Sequence, residues 1–104
     1  MKQVIVIGGG AAGMMAAIGA AKEGARVTLL EQNEKTGKKI FITGKGRCNL
    51  TNACEQEDFF SHVISNGKFL YSAFYQMDNQ SVMDFFENAG CRLKVERRNR
   101  VLPV

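Results

Sequence analysis

The apolar positions near the start of the chain fall into two short runs, separated by a glycine-rich stretch and a helix-forming segment. Val4-Ile5-Val6-Ile7 is a β-branched run, which predicts a buried parallel strand with both faces covered. Residues 11–23 are mostly alanine and methionine, which favour a helix, and Gly24 is placed to end it. Residues 26–31 (R-V-T-L-L-E) predict a second strand, so residues 2–31 are expected to form a βαβ unit.

The pattern changes after the second predicted strand. Residues 32–52 show no convincing periodicity and are predicted to form a long loop punctuated by glycines. The apolar Ile40-Phe41-Ile42 within this stretch favours an ordered loop, and ordered loops of this length in compact domains usually carry function.

Short helices are predicted across the next stretch. Residues 58–64 and 68–77 are expected to form two of them, on either side of a turn. A clearer helix starts at Asp78 or Asn79, either of which can cap it. Its apolar face has helical spacing and is formed by Val82, Phe85, Phe86 and Ala89. The phenylalanines interpreted as core residues on helix faces are Phe59, Phe60, Phe69, Phe74, Phe85 and Phe86.

The end of the chain has the pattern of a β-hairpin. Residues 91–96 alternate like a strand, residues 97–100 form a turn, and a further strand starts at Val101. The predicted fold class is therefore α/β. In chain order, the prediction is a Rossmann-like βαβ unit (2–31), a glycine-rich loop (32–52), short helices (55–90) and the hairpin (91–104).

Length and charge limit the function classes. A chain of 104 residues allows one small domain with a modest core. Its net charge of +4 is low for a nucleic-acid binder, and no nucleic-acid partner is expected. Residues 1–52 carry eight basic and three acidic side chains, whereas residues 53–104 carry six and seven. The positive excess therefore lies beside the glycines, which favours a small anion as ligand.

Cysteine and histidine usage argues against a disulfide framework and a metal site. Cys48, Cys54 and Cys91 form no C-x-x-C pair, and His62 is the only histidine. A reduced, cytoplasmic protein is expected. The uncharged run of residues 4–21 imitates a membrane span or signal peptide, but its five glycines would weaken such a helix. No membrane partner is expected.

The glycines after the first strand have the spacing of a dinucleotide-binding turn. Gly8-x-Gly10-x-x-Gly13 stands between a predicted strand and a predicted helix, as such a turn requires. Gly8 permits the tight turn, Gly10 lets a pyrophosphate approach the main chain, and Gly13 allows close helix packing. The amides near Ala11, Ala12 and Gly13 are expected to face the phosphates.

Glu31 ends the second predicted strand. A carboxylate at this point can accept hydrogen bonds from a ribose diol and would repel a 2′-phosphate, so the site is expected to refuse NADP. The alternative interpretation of the same residues is a glycine-rich turn followed by a solvent-exposed glutamate.

A basic stretch lies within the predicted loop. Five basic side chains and no acid occur between positions 35 and 47, namely Lys35, Lys38, Lys39, Lys45 and Arg47. The neighbouring glycines would let main-chain amides turn toward an anion, so the stretch is a candidate second wall of the nucleotide site. A solvent-exposed basic loop is the alternative. Gly44-Lys45 is not a P-loop, because Lys39 and Gly46 occupy positions that need glycine and a hydroxyl residue.

Three stretches carry a resemblance to a known family: V-I-V-I-G-G-G-A-A-G-M-M-A-A, L-L-E-Q-N and T-G-K-K-I-F-I-T-G-K-G-R-C-N-L-T-N. They resemble a bacterial FAD-binding flavoprotein family of aminoacetone-oxidase-like or BaiN-like NAD(P)/FAD-dependent oxidoreductases. The third stretch, residues 36–52, is the specific one. The resemblance covers essentially all of residues 1–104, and family members are several times longer. The chain is therefore expected to be the amino-terminal part of a FAD-binding domain.

The resemblance implies FAD as the cofactor. Its pyrophosphate would lie over residues 10–13 and its adenosine ribose on Glu31. The main chain of Lys38-Lys39 would lie near the adenosine half, and residues 44–49 near the pyrophosphate and the flavin. The expected cofactor-binding residues are Gly8, Gly10, Ala11, Ala12, Gly13, Glu31, Gln32, Lys38, Lys39, Gly44, Gly46, Arg47, Cys48 and Asn49.

The expected function is flavin-mediated hydride or electron transfer, with NAD(P)H as a candidate electron donor and an unknown small molecule as substrate or acceptor. No catalytic side chain is named, because the flavin carries the chemistry. A nucleotide-binding module for FAD or NAD without turnover is one alternative, and a flavoprotein of tRNA modification is another. Since later strands of such a domain are missing, the chain alone is expected to be inactive, and open strand edges favour self-association.

Overall fold

The computed structural model describes residues 1–104 throughout. They divide into two compact units, Met1–Gly46 and Arg47–Val104. The predicted α/β class is confirmed, because the first unit contains a parallel βαβ arrangement and the second combines short helices with an antiparallel sheet. No helix has both the length and the apolar composition that crossing a bilayer requires.

The first unit begins with the βαβ arrangement that the sequence predicts. β1 (Gln3–Ile7) and β2 (Arg26–Leu30) are parallel neighbours, and α1 (Ala11–Lys22) joins them. The five residues of each strand pair one to one without a bulge. Gly24, just beyond α1, has a φ of +89°, a left-handed conformation of the kind that commonly ends a helix.

The expectation that β1 is covered on both faces is wrong. Val4 and Val6 are half-buried, whereas Ile5 is 65% exposed and Ile7 is 85% exposed. Successive side chains of a strand point to opposite faces of the sheet, and Val6 lies on the face beside α1. A continuous apolar run does not reveal that only one face of the strand is packed.

Residues 32–52 contain three short elements, so the expectation of a stretch without regular structure is wrong. They are α2 (Lys38–Ile42), a 3-10 turn (Thr43–Gly46) and β3 (Thr51–Asn52). A helix of five residues and a strand of two are too short for their periodicity to be recognised. Gly37 precedes α2 with a φ of +70° and is buried, so the chain turns sharply where the helix begins.

The helices of the second unit are those predicted, with shifted boundaries. They are α3 (Gln56–Ser61), a 3-10 turn (Gly67–Leu70), α4 (Tyr71–Gln76) and α5 (Asn79–Asn88). Asp78 caps α5, since its Oδ1 accepts a hydrogen bond from the Ser81 amide over 2.8 Å. The predicted cap is therefore confirmed.

The predicted hairpin is confirmed, and β3 extends it to a three-stranded antiparallel sheet. β4 (Leu93–Glu96) and β5 (Arg100–Pro103) pair with each other, and β3 pairs with the other edge of β5. β5 is therefore central, and its Val101 and Leu102 are buried. The sequence predicted two of the three strands.

An aromatic cluster forms much of the packing in the second unit. Phe74 is buried, with its ring centroid 4.2 Å from that of Phe59 and 5.0 Å from that of Phe60. Phe69 was expected in the core, and this is wrong because its side chain is 86% exposed. Phe69 lies in the 3-10 turn that precedes α4 rather than on the buried face of a helix.

Candidate functional site

The turn between β1 and α1 has the conformation that its glycines permit. Gly8 has a φ of +102°, a region that residues with a Cβ rarely adopt. The Gly8 amide donates to the Leu30 carbonyl over 2.8 Å, so the turn starts while still bonded to the end of β2. Gly10 is the N-cap of α1, and its carbonyl accepts from the Met14 amide over 2.9 Å. The chain thus turns from strand into helix within three residues.

Gly13 is the point at which α1 lies closest to this turn. A Cβ at position 13 would lie 1.8 Å from the carbonyl oxygen of Gly8 and 3.6 Å from Cγ1 of Val6. The first of these atoms belongs to the main chain and has little freedom to move away. The structure therefore gives the physical reason for glycine at this position, which is the close approach of the helix to the strand end.

Gly10 differs from Gly13, because no contact inside the protein requires glycine at this position. A Cβ there would meet no atom within 4 Å, and the φ of −82° is open to any residue. The residue is exposed at the start of α1, where the amides of Ala11, Ala12 and Gly13 have no partner within the helix. These amides and the positive end of the helix dipole favour an anion.

Glu31 follows β2 directly and is hydrogen-bonded into the glycine turn. Its Oε1 accepts from the Gly9 amide over 2.7 Å, and its Oε2 accepts from the main-chain and side-chain nitrogens of Asn33, each over 2.8 Å. The main-chain amide of Asn33, followed by that of Gly9, lowers the pKa of Glu31 below its ordinary value. The glutamate is therefore not free in solvent but fixed beside the turn.

A cleft of about 580 Å³ opens between the turn, the end of β2 and α2. It brings together seven of the residues predicted to bind the cofactor, namely Gly8, Gly10, Ala11, Glu31, Gln32, Lys38 and Lys39. The remaining lining residues are Ile7, Gly9, Leu30, Asn33, Ile40 and Thr43. Ala12 and Gly13 lie in the first turn of α1 but do not line the cleft.

The basic stretch contributes two side chains to this cleft. Lys38 and Lys39 begin α2 and line it, whereas Lys35 lies over the ring of Phe41, with Nζ 4.9 Å from the centroid. Gly44 and Gly46 do not line the cleft. They have φ values of +58° and +85° in the turn after α2, a conformation that favours glycine.

Arg47, Cys48 and Asn49 belong to the second unit. The Arg47 guanidinium pairs with the Glu96 carboxylate, which Lys94 also reaches over 3.0 Å. These two bases lower the pKa of Glu96. Cys48 is half-buried with a free thiol and a φ of +59°. Their expected place in the cofactor site stays a prediction, and Arg47 has a protein partner that the sequence did not predict.

Sequence reasoning missed Gly9 and Asn33. Gly9 is buried, donates its amide to Glu31 and accepts the amide of Gly37 over 2.8 Å. A Cβ on Gly9 would lie 2.9 Å from side-chain carbons of Leu29 and Thr36. The spaced-glycine pattern treats position 9 as variable, and the run of three consecutive glycines was the available signal. Nothing in the motif marks Asn33.

The remaining candidate side chains do not form a metal site. Cys48, Cys54 and Cys91 are free thiols, and no group of three or more histidine, cysteine or acidic side chains is arranged to hold a metal ion. The Nδ1 atom of His62 lies 2.8 Å from the main-chain carbonyl of Asp58, one helical turn away.

Comparison with known proteins covers nearly the whole chain. The model of the family described as the HI0933-like protein Rossmann domain matches residues 2–104. A protein of Clostridium scindens named 3-dehydro-bile acid delta(4,6)-reductase is 41% identical over 92 residues, which are 86% of this chain and 22% of that protein.

Two further relatives are named ribosomal RNA dihydrouridine synthase. The protein of Escherichia coli is 35% identical over 86 residues, and that of Haemophilus influenzae is 37% identical over 87. Each alignment covers 83% of this chain and 21% of the relative, so the chain spans about a fifth of the length of the curated relatives it matches. With the glycine turn and the family model in agreement, the chain belongs to the HI0933-like protein Rossmann domain family.

Proposed function

We propose that the first unit holds the adenosine diphosphate half of FAD and that the whole protein is a flavin-dependent oxidoreductase. The observation that carries this proposal is the hydrogen bond between Glu31 and the Gly9 amide. It holds a carboxylate suited to a ribose diol at the edge of a turn suited to a pyrophosphate. FAD has these two groups side by side.

The residues of the cleft fit such a ligand. Gly10 leaves the main chain uncovered where a phosphate would approach, and no contact inside the protein accounts for glycine there. The first amides of α1 offer donors, and Lys38 and Lys39 add positive charge on the opposite wall. The carboxylate of Glu31 supplies the acceptor for the sugar.

Each group of this chain then has a role in binding rather than in bond making. The amides at the start of α1, of which Ala11 lines the cleft, would hold the pyrophosphate, Glu31 would accept hydrogen bonds from the adenosine ribose, and Lys38 and Lys39 would attract the negative charge. FAD, when bound, supplies the hydride and electron transfer. NAD(P)H is the electron donor that we propose for the whole protein.

The names of the relatives support a reductive direction for this chemistry. One is named a bile acid reductase and two are named dihydrouridine synthases, and a dihydro product is a reduced one. The names differ in substrate, a bile acid in one and ribosomal RNA in the others. The proposal for this protein is therefore reduction of an unsaturated substrate by flavin, with the substrate to be found by assay.

The test is whether the whole protein carries FAD. The purified protein is expected to show the visible absorbance of an oxidised flavin, which NADH or NADPH should bleach in the absence of oxygen. The flavin released on denaturation should be FAD rather than FMN, because FMN lacks the adenosine half that this cleft binds. A colourless protein that cannot be reconstituted with FAD but binds NAD would replace the proposal with a nucleotide-binding module.

A further inference from the structure

Three nitrogen donors hold the carboxylate of Glu31, and two of them come from one residue. Asn33 donates to Oε2 through both its main-chain amide and its Nδ2, each over 2.8 Å. Gly9 donates to Oε1 over 2.7 Å. A carboxylate has about four acceptor positions, so Oε2 is fully used and Oε1 retains one. The retained position is available to a hydroxyl in the cleft that Glu31 lines.

The terminal torsion of a glutamate side chain is broad, so the carboxylate plane is not fixed by rotamer preference. The paired donors of Asn33 remove that freedom by keeping one oxygen at Asn33. The other oxygen is then directed to the glycine turn. Asn33 is exposed, so its hydrogen bonds are explained by the position of Glu31 rather than by a need to satisfy a buried amide.

We propose that Asn33 is a positioning residue of the nucleotide site, which orients the Glu31 carboxylate so that Oε1 meets both the Gly9 amide and a ribose hydroxyl. This inference rests on the proposed function. Asn33 would thus contribute to recognition of the sugar through Glu31, without contacting the ligand itself.

The electrostatic setting agrees with this role. Hydrogen bonds from Asn33 and Gly9 lower the pKa of Glu31, with the main-chain amide of Asn33 contributing most and its side chain adding to it. Lys38 and Lys39 line the same cleft. An aspartate at position 33 would remove the Nδ2 donor and place a second negative charge beside Glu31.

The experiment measures ligand binding to the whole apo-protein with two probes, ADP and 2′,3′-dideoxy-ADP. The variants are Asn33→Ala, Asn33→Asp and Glu31→Ala, with Asn88→Ala as a control at an exposed position in the second unit. Asn33→Ala is expected to weaken ADP binding about tenfold, the effect of one hydrogen bond to a charged group, and Asn33→Asp more. Asn33→Ala should leave the affinity for the dideoxy probe unchanged, because that probe has no diol for Glu31 to bind. Asn33→Asp should weaken both probes, because its added negative charge lines the cleft that receives the diphosphate.

The two probes separate positioning from a general effect on the turn. Equal weakening of both probes by Asn33→Ala would show that the residue supports the loop and would overturn the inference. A loss of ADP binding in Glu31→Ala without any loss in Asn33→Ala would also overturn it, while leaving the proposed function in place. If the wild-type protein binds neither ADP nor FAD, both the inference about Asn33 and the proposed function are overturned.

Discussion

The two units of this chain differ in what occupies their interiors. The buried residues of the first unit are Gly9, which lines the cleft, and Gly37, which precedes α2. Those of the second unit are Phe74, Asn79, Val101 and Leu102. In the first unit the fully buried positions are thus main-chain turns joined by hydrogen bonds, and in the second unit they are mostly packed side chains. The two are expected to respond to different kinds of substitution.

The largest loss of stability is expected from truncating a buried aromatic ring, and the buried ring of this chain, Phe74, lies in the second unit. Phe74→Ala is expected to lower the free energy of unfolding by about 3–5 kcal/mol, because it leaves a cavity beside Phe59 and Phe60. The change in the free energy of unfolding is measured by urea unfolding. The matched control is Phe69→Ala at a side chain that is 86% exposed, with an expected change within about 0.5 kcal/mol. Equal losses from both variants would contradict the distinction between the packed and the exposed ring.

Addition of a single methyl group should be the damaging change in the first unit. Gly13→Ala places a Cβ 1.8 Å from the Gly8 carbonyl oxygen, so α1 must shift, at a cost of about 1–3 kcal/mol. FAD binding to the whole protein should weaken, since the amides at the helix start move with it.

Gly19→Ala is the control for that substitution, in the same helix. A Cβ at Gly19 meets nothing within 4 Å, and alanine in a helix interior is favoured over glycine by about 1 kcal/mol, so stability should rise. Both variants are compared by urea unfolding with and without FAD. If Gly13→Ala also raised stability, the close approach of α1 to the turn would not be a constraint on the sequence.

The smallest effect is expected at the cap of α5, where it depends on pH. The Ser81 amide and the side chain of Gln56 both donate to Asp78, and these hydrogen bonds lower the pKa of Asp78. A carboxyl group whose pKa is lower in the folded state stabilises that state above its unfolded pKa. This contribution is lost as the pH falls through the folded value.

Asp78→Asn keeps an oxygen acceptor for the Ser81 amide but cannot ionise. The variant should therefore lose part of the decline in melting temperature that the wild type shows between neutral and acid pH, while remaining folded at neutral pH. Thermal unfolding followed across that range measures it, with Asp84→Asn on the same helix as control. An unchanged acid profile in Asp78→Asn would mean that the cap does not respond to protonation.

The sequence predicted the elements whose residue pattern continues over many positions and missed the very short ones. The βαβ unit was predictable because β1, the glycine turn and α1 follow one another without interruption, and α5 was predictable from its spacing and its Asp78 cap. α2 and β3 were not, because five residues and two residues define no period. The exposure of Ile7 and Phe69 depends on what packs beside them, which local pattern does not encode.

For the candidate site, the sequence predicted the residues that stand at fixed spacing in the glycine motif, but not the hydrogen bonds between residues far apart in the chain. Gly8, Gly10 and Gly13 follow from the turn geometry, and Glu31 from its place after β2. The hydrogen bonds that join Gly9 to Glu31 and to Gly37 link positions 22 and 28 residues apart, and no one-dimensional motif contains them. The ion pair between Arg47 and Glu96 joins positions 49 residues apart and could not be predicted either, while the expected place of Arg47 in the cofactor site stays a prediction.

The saturation of Gly9 has a consequence for where negative charge can be held. The main-chain amide is the only donor of Gly9 and already bonds Glu31, so the central glycine of the run has no donor left for a phosphate oxygen. The main-chain donors for an anion in the cleft would then lie one step later, where α1 begins. Substitution at Ala11, which lines the cleft, would therefore change the surroundings of an anion without altering the Gly9 peptide, whereas position 13 has no room for a side chain.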